Sequence, residues 1–240
     1  MFNRNVTNTQ TLQQKFSQVY RQFFAHSQRV ASASNSFLWT GEFAGFYDGL
    51  TVSQKLPIRS YVGFETTFDG KVSIDRQYLS YDGAKSAFIT GMVDDRLIDN
   101  LEQFIQNFQA KSKGFTGLRV HILTEVPLGH SLGSNGAIAA ALATLLIKLT
   151  KKTVDSQQLF NQRFELAREI LALSQAGYSS GVSAFMALTD MNGPIIFYKN
   201  KDNSYTSQSV TALANATDHP VWPIDFGLIY SGTASNAESV

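Results

Sequence analysis

The run EVPLGHSLGSNGAIAAALATLL, residues 125–146, constrains this chain more than any other stretch. Gly129, Gly133 and Gly136 follow Pro127 at spacings of four and three, and an alanine-rich apolar segment comes directly after them. Glycine admits positive φ and lets a ligand or a neighbouring element approach the backbone closely. Alanine favours helix and lets a helix pack tightly. The first turn of a helix presents up to four N–H groups without intrahelical partners, at the end where the helix dipole favours negative charge. A glycine-rich bend entering a helix over residues 135–149 is therefore shaped either to cradle an anion or to make a close strand-to-helix connection.

The pattern is neither GxxxxGK[ST] nor GxGxxG, so neither the P-loop nor the dinucleotide fingerprint is present. Ser131 and Ser134 add hydroxyls to the bend, and Asn135 adds an amide able to meet a phosphate or, weakly, a metal. His130 is tunable near neutral pH. No cysteine is present, which excludes disulfides and thiolate-ligated metals. The remaining histidines, His26, His121 and His219, have no ligand spacing.

Around the bend, apolar periodicity predicts helices over residues 9–26, 86–108 and 156–171, the last capped by Asp155 or Ser156. Strands are expected at 37–39, 51–65, 115–124, 195–198 and 226–230. Residues 71–75 are expected to return antiparallel beside 51–65 through a turn at 68–70, and Pro57 marks an edge or bulge. Residues 200–216 read as a polar surface loop. The order predicts an α+β domain with a mixed or antiparallel sheet packed with helices. The expected division is an N-terminal helical extension over 1–30, a nucleotide-binding domain over 31–225, and the start of a C-terminal domain over 226–240.

A 240-residue chain that is 43% hydrophobic can bury roughly 70–75% of its unfolded surface, enough for a core without staples. A net charge of +1 gives no electrostatic reason to expect nucleic acid. Residues 137–149 are apolar but shorter than the roughly 20 residues a membrane span needs, and the first ten lack a signal-peptide core. A cytoplasmic protein without membrane partners is expected.

The residues around the bend resemble the central motif of the GHMP kinases, the family of galactokinase, homoserine kinase, mevalonate kinase and phosphomevalonate kinase. That motif is approximately P-x-G-x-G-L-G-S-S-A. Pro127, Gly129, Leu132, Gly133 and Ser134 agree with it, whereas Ser131, Asn135 and Gly136 depart from it. Two weaker regions fall in the family's order. Residues 33–43 resemble the first motif, with Gly41 and Glu42 matching and Ser36 in place of a lysine. Residues 179–183 resemble P-S-G-V-D, with Gly181 matching and Ser183 in place of the aspartate. The run 228–233 resembles the strand that leads toward the family's second domain. The resemblance covers about residues 30–235 and corresponds to the family's N-terminal portion, with the ribosomal protein S5 domain 2-like fold.

The resemblance implies ATP- and Mg²⁺-dependent phosphoryl transfer to a small-molecule substrate, with the form of residues 41–49 nearest the mevalonate and phosphomevalonate kinases. By position it implies Pro127, Gly129, His130, Ser131, Gly133, Ser134 and Asn135 around the nucleotide. Asn135 and Glu169 are implied at the metal, with Glu165 as a rival to Glu169. Glu42 and Ser183 fall at catalytic positions, and Asp48 and Gly181 at the substrate. Lys55 and Arg59 are candidate cations in place of Ser36. A second domain or a homodimer would complete the site. The substitutions at Ser36 and Ser183 imply the alternative, a catalytically degenerate GHMP-like protein that binds nucleotide or metabolite, or regulates. A scaffold function on the same fold is the third reading.

Overall fold

The computed structural model describes residues 8–41, 49–82, 85–90, 96–112, 117–127, 132–150, 155–174, 181–191, 193–200 and 205–210. Within them lie helices α1 (Thr9–Lys15), α2 (Ser17–Ala25), α3 (Arg96–Ser112), α4 (Ser134–Leu149), α5 (Ser156–Ala172) and α6 (Val182–Leu188). The strands are β1 (Arg29–Thr40), β2 (Leu50–Thr67), β3 (Val72–Asp82), β4 (Lys85–Thr90), β5 (Gly117–Thr124), β6 (Pro194–Lys199) and β7 (Tyr205–Ser209). They make one mixed sheet in the order β4-β3-β5-β2-β6-β7, with β1 on β2. This is the α+β architecture expected from the sequence.

The long strand β2 organises the sheet. Its ladder with β1 runs from Val52 to Phe64. Ser60 to Thr67 pair antiparallel with β5, and Leu50 to Gln54 pair antiparallel with β6. Because Val52 and Ser60 each have two ladder partners, β5 and β6 succeed one another along the edge opposite β1. Between their registers lies Pro57, which has no N–H to donate. The β1 ladder shifts register there, from Ser34↔Arg59 to Ser36↔Lys55, so the proline occupies the expected irregularity.

Alternation divides the sheet between two layers. Val62, Phe64, Leu118, Val120 and Ile122 face a main core built with α3, α4, α5 and α6. Tyr61, Leu79 and Leu123 face a smaller cluster completed by Leu12, Tyr20 and Phe23 of α1 and α2. Leu123 falls in the phase of β5 that also carries Arg119 and His121, and it is apolar because the N-terminal helices cover it. Almost every residue of α4 from Gly136 to Ile147 is buried, as expected of a helix surrounded by protein.

Several elements differ from the sequence reading. The helix expected over 9–26 breaks at Phe16 (φ −118°, ψ 36°), whose ring packs edge-on against Phe88 at 5.2 Å. The helix expected over 86–108 is strand β4 followed by α3. Phe88 fits the helical period by sequence, but its aromatic neighbours are Phe16 and Tyr20, some seventy residues away in the chain. Residues 71–75 do not pair with β2: β3 lies parallel to β5, which inserts between them. The expected loop at 200–216 contains β7, antiparallel to β6. The expected strand at 226–230 lies outside the described residues. The cap at Asp155 forms as expected, its Oδ1 accepting from the Gln158 amide at 2.9 Å.

Glu125, the residue after β5, ties the N-terminal layer to the sheet. It is almost completely buried. Its carboxylate accepts hydrogen bonds from Thr9 Oγ1 at 2.6 Å, Tyr20 Oη at 2.6 Å and the Arg59 amide at 2.7 Å. Its own amide donates to the Arg59 carbonyl at 3.0 Å. Burial, reinforced by the bond to Glu125, raises the Tyr20 phenol above its ordinary range. Burial and the Glu125 charge push Tyr61 up to about 12. A raised folded-state pKa contributes stability that is complete below the unfolded value near pH 10 and is lost as pH rises through the folded value. Chemical denaturation should therefore show stability falling from about pH 10 toward 12, and Tyr61→Phe should flatten that fall. Glu125→Ala should cost about 2–4 kcal/mol, because it strands buried donors.

Candidate anion site at the start of α4

Gly133 opens α4 with φ 67° and ψ 18°, in the left-handed region, and no side chain caps the helix. A Cβ at Gly133 would stand 2.6 Å from Ser36 Oγ, 2.7 Å from the Ser36 carbonyl oxygen and 2.9 Å from its nitrogen. The Ser36 amide donates to the Leu132 carbonyl at 3.3 Å. Three residues on, Gly136 is buried, and a Cβ there would meet Ser183 Cβ and Oγ at 2.4 Å. Ser183 lies in the first turn of α6, which Gly181 opens with φ 73°. Ser36 and Ser183, which stand where the resembled motifs have a lysine and an aspartate, thus sit against the first turn of α4 from two sides.

Both glycines are needed, for different reasons. At Gly133 positive φ and the nearby β1 backbone together exclude a side chain. At Gly136 the backbone is helical, and only the approach of α6 forbids a Cβ. Ser134 and Asn135 are half-buried and follow the uncapped left-handed residue, so the helix begins with amide donors and no side-chain acceptor. Pro127 is buried at the exit of β5. Gly129, His130 and Ser131 lie outside the described residues, as do Glu42 and Asp48.

Glu169 is placed elsewhere. It lines a surface groove with Ile147 and Thr150, at the far end of α4. A rise of about 1.5 Å per residue separates that end from Asn135 by about 18 Å. The structure therefore does not bring Glu169 to Asn135, because the face of α5 that carries it is turned toward the last turn of α4. Glu165 lines the same groove and bonds Arg168 at 2.9 Å. Among the described residues no cluster of three or more histidine, cysteine or acidic side chains could hold a metal. His121 does approach Asp75 (3.5 Å) and Glu65 (3.8 Å), and the His26 ring at 6.2 Å, but on the sheet face covered by α2.

Of the candidate cations, Arg59 is engaged on β1: its guanidinium donates to Ser32 Oγ, Ser34 Oγ and the Ser32 carbonyl at 3.0–3.1 Å. Lys55 is the cross-strand partner of Ser36, and its Nζ donates to the Thr189 carbonyl at the C-terminal end of α6. Burial lowers its pKa, partly offset by Asp190. Sequence reasoning could not separate these two cations, since only the register across the Pro57 irregularity places Lys55, and not Arg59, opposite Ser36.

Gly136→Ala should destabilise the fold by about 1–3 kcal/mol, as overpacked cores do. Adding Ser183→Gly should recover only part of the loss in denaturant melts, because the Ser183 carbonyl carbon would also stand 2.6 Å from the new methyl.

Residues 99–189, which include both glycine-opened helices, match the family model for the GHMP kinases N-terminal domain. No curated protein sequence matches the chain. Among solved structures, a mevalonate kinase from methicillin-resistant Staphylococcus aureus is similar at 19% identity and a TM-score of 0.53, over 74% of this chain and 54% of that one. A Lactococcus lactis galactokinase complexed with galactose is similar at 13% identity and a TM-score of 0.54, over 83% and 52%. An L. major mevalonate kinase in complex with R-mevalonate is similar at 11% identity and a TM-score of 0.52, over 77% and 52%. The chain spans about half the length of these solved kinases. No described helix is long and apolar enough to cross a membrane. The glycine-opened helices thus lie in the segment that matches the GHMP kinases N-terminal domain model, on a fold similar to that of these solved kinases.

Proposed function

We propose that this chain binds the phosphates of MgATP at the start of α4 and supports phosphoryl transfer to a small metabolite of the mevalonate or phosphomevalonate type. The observation that carries this reading is the uncapped first turn of α4, opened by a left-handed glycine and followed by half-buried Ser134 and Asn135. The residues present fit a phosphate group. Backbone amides and the Ser134 hydroxyl donate, Gly133 supplies the left-handed turn into the helix, and the helix dipole favours the anion. Gly129, His130 and Ser131 complete the bend in this proposal. Asn135 contributes an amide oxygen toward Mg²⁺, whose remaining ligands are phosphate oxygens and water. The bound metal supplies neutralisation of phosphate charge.

Phosphoryl transfer depends mainly on alignment and charge stabilisation, so a site without a strong base retains part of its catalytic effect. In this reading Ser183 and Gly181 bound the acceptor side of the site, and Glu42 and Asp48 orient the metabolite. A second domain or a second copy closes over the phosphates. Ser183 also favours a second reading, nucleotide or metabolite binding without turnover, because a serine of ordinary acidity neither accepts a hydroxyl proton nor balances a cation.

Isothermal titration of the full chain with Mg²⁺ and a non-hydrolysable ATP analogue should show binding. Ser134→Ala should weaken it by about three- to tenfold, the worth of one phosphate hydrogen bond. Isotopic phosphate transfer to mevalonate or phosphomevalonate separates the kinase from the binding protein. Absence of nucleotide binding by the folded chain would overturn the kinase reading, and absence of both nucleotide and metabolite binding would overturn the second.

A further inference from the structure

We infer that Lys55 is a phosphate-binding residue, a lysine that leaves the end of α6 to neutralise an anion held at the start of α4; this rests on the phosphate-site reading above. The inference starts from strand register. Lys55 pairs directly with Ser36, and Ser36 lies against Gly133, where α4 begins. Paired residues on neighbouring strands place their Cβ atoms about 5 Å apart on the same face. The root of the lysine is thus one strand away from the proposed anion site, on the face that α4 and α6 cover. Its four-carbon stem gives the ammonium freedom to point either way along that face.

The present partner of the ammonium is weak for a cation in this setting. Nζ donates to the Thr189 carbonyl, a neutral group, and among the described residues no carboxylate forms an ion pair with it. The charged groups that influence it are Asp190, which is exposed, and Arg59, which opposes it. A half-buried ammonium whose nearest carboxylate makes no ion pair with it carries a desolvation cost that a phosphate would offset. Arg59 cannot serve in its place without giving up its three bonds to Ser32 and Ser34.

A second, independent feature marks the same place. Asn35, the neighbour of Ser36, is completely buried, and its Oδ1 accepts from Ser60 Oγ at 2.9 Å. Its Nδ2 has no hydrogen-bond partner. The Thr124 hydroxyl, on the ladder partner of Ser60, is also buried without one. Buried donors are nearly always satisfied in folded proteins. The β1 position beside Ser36 therefore holds a buried donor that a further acceptor would complete, one residue from the partner of Lys55.

The competing account is that Lys55 only caps the C-terminal end of α6, where a cation is favourable. The two accounts separate in one experiment. The full-length protein, Lys55→Met and Lys55→Arg are titrated with Mg²⁺ and a non-hydrolysable ATP analogue by calorimetry, and with adenosine by ligand-observed NMR, alongside thermal melts. The inference expects Lys55→Met to weaken the ATP analogue by about tenfold or more, as for a hydrogen bond between charged groups. Adenosine binding should be unchanged, and Lys55→Arg should retain most of the affinity. Equal affinity of wild type and Lys55→Met for the analogue overturns the assignment and leaves the phosphate site standing. So does a parallel loss for analogue and adenosine, the signature of a structural role. If the wild type binds no analogue, the phosphate-site reading fails, and the lysine assignment falls with it.

Discussion

The fold depends on how closely the first turn of α4 can be approached. Gly133 lets it meet the β1 backbone at Ser36, and Gly136 lets α6 close onto it at Ser183. A methyl group at either position would occupy space already filled. The alanines that follow extend the same condition along the helix, which is buried around nearly its whole circumference. A helix so enclosed cannot shift without moving the sheet, α5 and α6 together, because cores are packed nearly as densely as organic crystals. Whatever its amides hold is therefore held by a rigid element.

The long strand β2 converts this packing into a site. Its partners change from β5 to β6 where Pro57 interrupts regular pairing, and the bulge resets which β1 residue faces which β2 residue. Side chains on either side of the irregularity are used differently. Arg59 is bound into the serines of β1, and its backbone is paired with Glu125, which closes the N-terminal layer over the other face. Lys55, four residues earlier, stands opposite Ser36 on the face that carries α4 and α6. One proline thus separates a cation bound to the serines of β1 from one that reaches the C-terminal end of α6.

Much of this was legible from residue order. The glycine spacing, the alanine-rich helix, the Asp155 cap and the alternation in β5 are local features, and each appears in the structure at or within a residue or two of its expected place. The errors share one cause. Phe88 and Phe16 fit a helical period by sequence, yet they pack against one another across layers, one at the break between α1 and α2 and the other on β4. Residues 71–75 have the composition of a hairpin partner for β2, but β5 takes that place, and no local signal encodes the insertion of a strand from forty-five residues later. Glu169 sits on a helix that was foreseen, but the face it occupies is set by how α5 lies on α4.

The sequence alone determined that a glycine-rich bend would open a helix, because positive φ, small side chains and helix propensity are properties of neighbouring residues. It also determined that serine stands at 36 and 183, where the resembled motifs have a lysine and an aspartate. Only the tertiary structure decided which distant groups surround that helix start. Strand register brought Lys55 and Ser36 together, the packing of α6 brought Ser183 to Gly136, and the orientation of α5 carried Glu169 away. Those outcomes depend on pairings between segments far apart in the chain, whose energies are fixed by the assembled core rather than by any local run of residues.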